Sequence, residues 1–372
     1  MYKHTDQRTG RIRAGLACLM CMAVLVSGLI VGARPAQADD PAPTFKLAVR
    51  GVGLRSAPRL TAPLGSWVTD EAAYVITART FDKSWFKLAE PGTQTTGWIL
   101  ASLGTIKGDA SVLPVEKLPV KKGTAAGAGK AADAIVKPSP FIIGITPSVR
   151  KQWQAGVKAG RRADLFTVVG DCNSEPSAYL WRLSAGSFDA SKYPELARAV
   201  EQFTWSFTRG SSAAFSGFNS ASMFDTGWSS PQLCQKTEGP LACELRRSNA
   251  SIAFVALGTG DQFTWKDFPK HYRAIIDYLL QAHVLPVLVT KADDLESQQG
   301  GAAPGAINAA VRALGAEYDL PVIDFYAATR TLPDKGLRYE GNANFHMSPE
   351  GSDLRLLLTL QTLTAITSNV SK

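Results

Sequence analysis

Histidine and cysteine are scarce in this sequence, with four and five residues among 372. None of them clusters with the spacing of a zinc site, and no glycine-rich loop of the phosphate-binding type is present. The sequence therefore predicts no metal and no cofactor. Charged residues make up 19% and apolar residues 45%, which excludes a wholly disordered or collagen-like chain.

The formal net charge of +8 lacks the concentration that nucleic-acid binding needs. Residues 1–38 hold five basic residues and one acid, so the remainder has 35 basic and 31 acidic residues. This small excess, without a block dense in Lys and Arg, argues against nucleic acid as a partner. It suits weak attraction to an anionic surface such as a cell wall. No stable protein partner is indicated.

Residues 1–38 have the pattern of an N-terminal signal peptide. Four basic residues precede an apolar run from Ala14 to Ala33, and Ala36-Gln37-Ala38 offers the small residues of a signal-peptidase site. We expect cleavage after Ala38 and a secreted or extracytoplasmic location, in the periplasm or cell envelope. The alternative is an uncleaved anchor, because an apolar run of this length can span a bilayer.

Three cysteines follow this signal. Cys234 and Cys243 are near neighbours around Gly239-Pro240, and in an oxidising compartment we expect them to form a disulfide. Cys172 is then unpaired, either as a buried inert thiol or as a reactive one.

Residues 45–107 contain four β-rich stretches separated by turn-forming clusters, with no helical periodicity. Short strands at this spacing predict a small all-β barrel. Three tryptophans are expected to fill its core: Trp67, Trp85 and Trp98. The segments 53–58 and 96–99, together with Trp85, resemble the bacterial SH3-like domain. That resemblance implies a module that binds cell-wall or glycan ligands.

Residues 108–140 are rich in small residues and have no apolar face. They are predicted to be a flexible linker, because such a segment buries too little surface to offset its ordering entropy. We therefore expect the regions on either side to fold independently.

From residue 141 to residue 372, apolar runs alternate with amphipathic stretches. The runs end in Gly, Asp or Lys and occupy residues 165–169, 252–257, 284–290 and 321–323. Continuous apolar strands with intervening helices predict an α/β domain, a parallel sheet flanked by helices in three layers. The last helix is expected to begin at Ser348-Pro349. Function in such a sheet gathers at the carboxyl ends of the strands.

Four sequence blocks lie at those ends and in the loops between them. Gly170-Asp171-Cys172 follows the first strand, Gly217-Phe218-Asn219 lies in a later loop, and Gly258-Thr259-Gly260-Asp261 follows the second strand. His346 precedes the last helix. This order resembles the SGNH (GDSL-like) hydrolase superfamily over residues 141–372. The resemblance implies that fold, a nucleophile after Gly-Asp and a histidine base near the C-terminus.

Carried over to this chain, the resemblance places Cys172 at the nucleophile position, where the family has Ser, and His346 at the base position. A thiol beside an imidazole at a helix N-terminus is expected to have a lowered pKa and to exist partly as thiolate. Ala343 stands where the family has the Asp that orients the base. Glu340 or Asn342 is the candidate replacement.

The family's oxyanion hole combines the nucleophile's backbone, a loop Gly and an Asn side chain. Here the resemblance assigns the backbone of Cys172 and Gly217, while Gly260 stands where the family has Asn. Asn219, in the neighbouring loop, is the candidate for the missing donor. Other residues at these strand ends are expected to support the site: Asp171, Gly260 and Asp261.

Two functions follow from this pattern. The first is an exported SGNH-type esterase that hydrolyses an ester, such as an O-acetyl group, on a cell-wall or extracellular polysaccharide. The second is a catalytically degenerate member of the same fold that binds such a glycan without cleaving it. The departures at Gly260 and Ala343 keep the second hypothesis open.

Overall fold

The computed structural model describes residues 42–90, 92–116, 139–341 and 344–368. The predicted signal peptide lies outside these residues, as do Asn342 and Ala343. Among the described residues, no helix has the length and apolar character needed to cross a membrane.

The N-terminal region is one antiparallel sheet of seven strands in the order β3-β2-β6-β5-β4-β1-β7. The strands are β1 (Thr44–Leu47), β2 (Gly51–Arg55), β3 (Leu64–Thr69), β4 (Ala73–Arg79), β5 (Trp85–Ala89), β6 (Thr96–Leu100) and β7 (Gly104–Lys107). Within the described part of this region the edge strands β3 and β7 do not pair, so no closed barrel is found. The region is a sheet-rich domain, and the SH3-like barrel expected from the sequence is not shown.

The core of this sheet differs in one residue from the expectation. Trp85 and Trp98 are buried, but Trp67 is 54% exposed. Its ring packs over Gly51, where a Cβ would lie 2.5 Å from the indole nitrogen. The contacts of the sheet also extend into the start of the predicted linker, because Val115 forms a parallel bridge with Arg79.

The C-terminal region has a five-stranded sheet in the order β8-β12-β11-β10-β9. Its strands are β8 (Ile142–Ile143), β9 (Arg162–Gly170), β10 (Ala250–Ala256), β11 (Leu285–Val289) and β12 (Val322–Ile323). Strands β9 to β12 are parallel, and β8 pairs antiparallel with β12. Every residue of β10 and β11 is buried, as expected for strands covered on both faces. The predicted parallel α/β domain is confirmed.

Helices connect and cover these strands. They are α1 (Pro147–Lys158), α2 (Trp181–Ser184), α3 (Ala197–Gln202), α4 (Pro240–Ser248), α5 (Phe268–Gln281), α6 (Ala306–Glu317), α7 (Phe325–Thr329) and α8 (Pro349–Thr367). The connections through α4, α5 and α6 all step the same way along the sheet, so the right-handed rule for parallel crossovers predicts that those helices share one face. Helix α1 packs on β10, β11 and α8. Helix α8 begins as predicted, with Ser348 Oγ accepting a hydrogen bond from Gly351 N at 3.1 Å.

A buried arginine joins the sheet domain to the α/β domain. Arg55, at the end of β2, is 1% exposed, and its guanidinium donates to Ala62 O at 3.1 Å and to Leu183 O at 2.5 Å. Burial lowers the pKa of Arg55 to about 10. Alongside it, Gly53 N donates to Ala185 O at 2.9 Å. The two domains thus share a backbone-to-backbone contact and a buried charge, which argues against fully independent folding.

We expect Arg55→Met to destabilise the protein, because two buried carbonyl oxygens lose their donor at a cost of roughly 2–5 kcal/mol in total. Urea denaturation should show this loss, whereas Arg59→Met, at an exposed arginine four residues away, should change the free energy of unfolding little. Equal stability of the two variants would contradict the role assigned to Arg55.

Candidate active site

The carboxyl ends of β9, β10 and β11 lie side by side at one edge of the parallel sheet. Gly170-Asp171-Cys172 leaves β9, residues 257–261 leave β10, and Lys291-Ala292-Asp293 leaves β11. Since neighbouring parallel strands end on the same side, three segments that are far apart in sequence meet here.

A glycine permits the sharp turn that presents Cys172. A Cβ at Gly170 would lie 2.4 Å from Ala256 O, so a side chain at this position would collide with β10. The short 3-10 turn that begins at Cys172 is capped by Asp171, whose carboxylate accepts from Asn173 N at 3.1 Å. Cys172 therefore occupies the first position of the turn, where its thiol is half-buried.

Beneath this turn lies a buried network of charged and polar side chains. Asp171 accepts from Thr259 N at 3.2 Å, and the Thr259 hydroxyl donates to Asp293 at 2.6 Å. Lys291 Nζ donates to Asp293 Oδ1 at 2.6 Å and to Glu296 Oε2 at 2.5 Å. Burial raises the pKa of Asp171 to about 7, and the nearby Asp293 carboxylate adds to the effect. Burial alone would lower the pKa of Lys291, but its two carboxylate partners outweigh it and raise the pKa.

His346 is held by a short hairpin that precedes α8. Leu337 and Met347 form an antiparallel bridge, and Arg338 N donates to His346 O at 2.8 Å. The hairpin brings the carboxylate of Glu340 to His346, with its two oxygens 2.8 and 2.7 Å from Nδ1. With Glu340 ionised, Nδ1–H is the donor, which leaves Nε2 as the acceptor nitrogen.

Asn173 fixes the histidine segment to the cysteine turn. Its side-chain amide donates to Phe345 O at 2.8 Å and accepts from Met347 N at 3.1 Å. These two bonds hold the backbone on both sides of His346 against the residue that follows Cys172. No sequence motif signals this clamp, because the partners of Asn173 are main-chain groups 172 and 174 residues away.

Cys172 and His346 line the same open cavity, which has a volume of about 440 Å³. No hydrogen bond joins the two side chains within the described part of the chain. Seven further lining residues carry polar side chains that the sequence did not single out: Asn173, Glu175, Ser177, Arg182, Ser216, Arg338 and Ser352. The charge of Arg182 is balanced by Asp353, which accepts from the guanidinium at 2.6 and 2.9 Å.

The expected lowering of the Cys172 pKa is wrong. Burial raises the pKa of Cys172 to about 12, and the carboxylates of Asp171 and Glu175 add to the effect. The turn at Cys172 has three residues and is already capped by Asp171, so the thiol faces nearby carboxylates instead of a long helix dipole. The resting thiol is protonated.

The loop assigned to the oxyanion hole makes different contacts from those expected. Gly217 and Asn219 are not among the residues that line the cavity of Cys172. The Asn219 side chain caps the next turn by accepting from Ser222 N at 3.0 Å. Ser216 does line the cavity, and its N–H donates to Glu175 at 2.7 Å. Among the described residues, the N–H groups of Cys172 and Gly217 have no acceptor.

Gly260 is required by close packing of two loops. A Cβ at this position would lie 2.3 Å from Phe218 O and 3.4 Å from the Cβ of Asn219. An Asn at 260, as in the family, does not fit this arrangement. The adjacent Asp261 holds the same loop, since its buried carboxylate accepts from Ser220 N at 2.9 Å and from Ser220 Oγ at 2.5 Å. Burial raises the pKa of Asp261.

The predicted disulfide is present. Cys234 and Cys243 are bonded, with their Cα atoms 5.2 Å apart, and the bond ties a long loop to α4. Within the described ranges Cys172 is the free cysteine, and no group of three His, Cys, Asp or Glu residues is placed to hold a metal ion.

Residues 182–354 match the model of the GDSL-like lipase/acylhydrolase family. The match begins after Cys172 and includes Glu340 and His346. Together with the parallel α/β fold, it supports a GDSL-like lipase/acylhydrolase (SGNH) domain in the C-terminal part of the chain. No curated protein matches the chain.

Several solved structures are similar to this chain. A member of the lipolytic protein G-D-S-L family from Veillonella parvula is 14% identical and covers 53% of this chain and 96% of its own, with a TM-score of 0.34. A GDSL-like lipase from Bacteroides thetaiotaomicron is 12% identical and covers 57% and 96%, with a TM-score of 0.35. An acetylxylan esterase from Geobacillus stearothermophilus is 10% identical and covers 55% and 94%, with a TM-score of 0.35. Similarities this distant carry no argument about function.

The raised pKa of Asp171 predicts a pH-dependent stability. A carboxyl whose folded pKa lies above its unfolded value stabilises the fold fully below about pH 4 and loses that contribution as the pH rises through about 7. We expect the free energy of unfolding of wild type to fall between pH 5 and pH 8, and Asp171→Asn to reduce this fall. Urea denaturation at both pH values tests it, with Asp70→Asn, at an exposed position, as control. An unchanged fall in Asp171→Asn would contradict the prediction.

The raised pKa of Cys172 predicts slow alkylation at neutral pH. Because only the thiolate reacts, the rate with iodoacetamide should rise about tenfold per pH unit from pH 7 to pH 9 without a plateau. Peptide mapping gives the rate at Cys172, and a short unstructured peptide with one cysteine, whose thiol pKa is about 8.5, serves as the reference whose rate begins to level off. A plateau below pH 8 would show the thiolate that the sequence predicted.

Proposed function

We propose that the C-terminal domain hydrolyses carboxylic esters, with Cys172 as nucleophile and His346 as general base. The observation that carries the proposal is the Glu340–His346 pair, whose histidine lines the same cavity as Cys172 at the carboxyl ends of the strands. A nucleophile, a base and a group that orients the base are the parts that acyl transfer needs.

In this mechanism His346 Nε2 takes the thiol proton as Cys172 Sγ attacks the ester carbonyl. The tetrahedral intermediate collapses to a thioester, and the leaving alcohol takes the proton from His346. Water, deprotonated by the same nitrogen, then attacks the thioester and releases the acid and the thiol. Glu340 stabilises the imidazolium that forms in each step.

The protonated resting thiol makes His346 essential in this scheme. With a pKa of about 12, Cys172 holds almost no thiolate at neutral pH, so proton transfer must accompany attack. The free N–H group of Cys172 is the main-chain donor we assign to the developing oxyanion.

For the substrate we propose an ester such as an O-acetyl group on a cell-wall or extracellular polysaccharide, with the protein exported by its N-terminal signal. The signal-peptide pattern of residues 1–38 supports this choice, as does the open, polar cavity, which suits a hydroxylated polymer better than an acyl chain. The N-terminal sheet domain is proposed to bind the same polymer in the manner of an SH3-like module.

A second candidate function is glycan binding without hydrolysis. The glycine at position 260 favours it, because packing against Phe218 O excludes the side-chain donor that the family uses there. In that case the cavity keeps its shape and polarity while the reaction lacks part of its oxyanion stabilisation.

Hydrolysis of p-nitrophenyl acetate by the purified protein tests the proposal. We expect Cys172→Ala and His346→Ala to abolish kcat/KM, and Glu340→Gln to lower it about 10²–10⁴-fold, because the imidazole loses its ionic partner. His283→Asn is the matched control, since His283 is exposed and lies outside the cavity. An inactive wild type that retains glycan binding would favour the second function. Activity that survives Cys172→Ala would overturn the mechanism.

A further inference from the structure

A second cavity of about 540 Å³ lies on the other side of the hairpin that carries His346. It is enclosed by the segment after β11 and by residues of the hairpin itself, and it shares no lining residue with the cavity of Cys172. Its volume is in the range of small-ligand sites, roughly 300–1,000 Å³.

The hairpin forms a common wall between the two cavities. Arg338 and His346 line the Cys172 cavity, whereas Leu337 and Tyr339 line the second one. This alternation follows from extended backbone, in which successive side chains point to opposite sides. A ligand in the second cavity therefore contacts the back of the segment whose front carries His346.

The lining of the second cavity is polar and aromatic, with balanced charge. Asp294 and Asp334 are matched by Arg330 and Lys335, and the third lining carboxylate, Asp293, is paired with Lys291. Tyr339 stands at the rim and is 84% exposed. This combination differs from a phosphate site, which needs excess positive charge, and from a lipid site, which needs an apolar lining.

Two features of this wall bear on ligand binding. Asp334 and Lys335 adopt left-handed backbone conformations, with φ of 47° and 57°, which costs energy for residues other than glycine. The side chains of Gln298, Asp334 and Lys335 have no hydrogen-bond partner within the described residues, although all three line the cavity. These three side chains are exposed, so their polar groups are free to bind a ligand in the cavity.

We propose that this cavity binds neutral sugar units of a polysaccharide, next to the units that enter the Cys172 cavity. Sugar hydroxyls both donate and accept hydrogen bonds, which suits Gln298 and the opposed charges of Asp334 and Lys335. The apolar face of a sugar ring suits the exposed ring of Tyr339. The choice of a glycan rests on the proposed function, but binding does not require catalysis.

Isothermal titration calorimetry with xylohexaose, cellohexaose and chitohexaose tests the proposal on the full chain. We expect wild type to bind at least one of them, and Tyr339→Ala and Gln298→Ala to weaken that binding about tenfold each, near 1.4 kcal/mol. Trp205→Ala is the control with unchanged affinity, because Trp205 is 47% exposed on the α/β domain and lines neither cavity. Circular dichroism confirms that each variant is folded.

Binding of none of the three sugars, or equal affinity of wild type and both variants, would overturn the proposal. Hydrolysis of p-nitrophenyl acetate by the same wild-type preparation reports separately on the proposed function. A protein that binds sugar through Tyr339 but cleaves no ester would retain this cavity and lose the esterase assignment. If the protein cleaves the ester but Tyr339→Ala leaves sugar binding unchanged, the esterase assignment is retained and the sugar site is rejected.

Discussion

The buried network under the Cys172 turn is the constraint on which the rest of the site depends. Asp171, Thr259 and Asp293 connect the ends of three strands, and Lys291 lies among carboxylates at 6% exposure. Charges removed from water are tolerated only when each has a partner. Removing one charged side chain therefore leaves its partner buried and unpaired, at a cost of about 3–5 kcal/mol. The three loops that follow these strands therefore keep one arrangement. The same burial raises the pKa of Asp171 to about 7 and keeps the neighbouring thiol protonated.

Above this buried network, His346 is positioned by hydrogen bonds to its neighbouring main-chain groups more than by bonds of its own side chain. Asn173 belongs to the cysteine turn and binds the backbone on both sides of His346. The hairpin then sets Glu340 against Nδ1. A change at the strand ends therefore reaches His346 through the side-chain amide of Asn173. The hairpin that carries His346 also separates the two cavities.

The chain departs from the family pattern in linked ways. Gly260 leaves room for the Phe218 carbonyl. Asn219 lies beside Gly260, and its side-chain oxygen caps a turn by accepting from Ser222 N. Glu340 approaches the histidine from six positions upstream, whereas the family's Asp position, Ala343, lies outside the described residues. These contacts place the paired His346 and Glu340 beside the cavity that Cys172 also lines. They also explain why a glycan-binding function stays a coherent second candidate.

The sequence by itself determined the parallel α/β sheet, the start of α8, the disulfide and the order of the site blocks. These features follow from local signals: apolar runs such as 252–257, the Ser348-Pro349 cap, and two cysteines nine residues apart. Other features depended on which distant groups meet. The Cys172 pKa rose instead of falling because burial and two carboxylates act on the thiol, and the N-terminal strands left an open sheet with Arg55 buried against the other domain. Burial, close loop packing and main-chain partners far away in sequence carry no periodic pattern, so only the tertiary structure decided them.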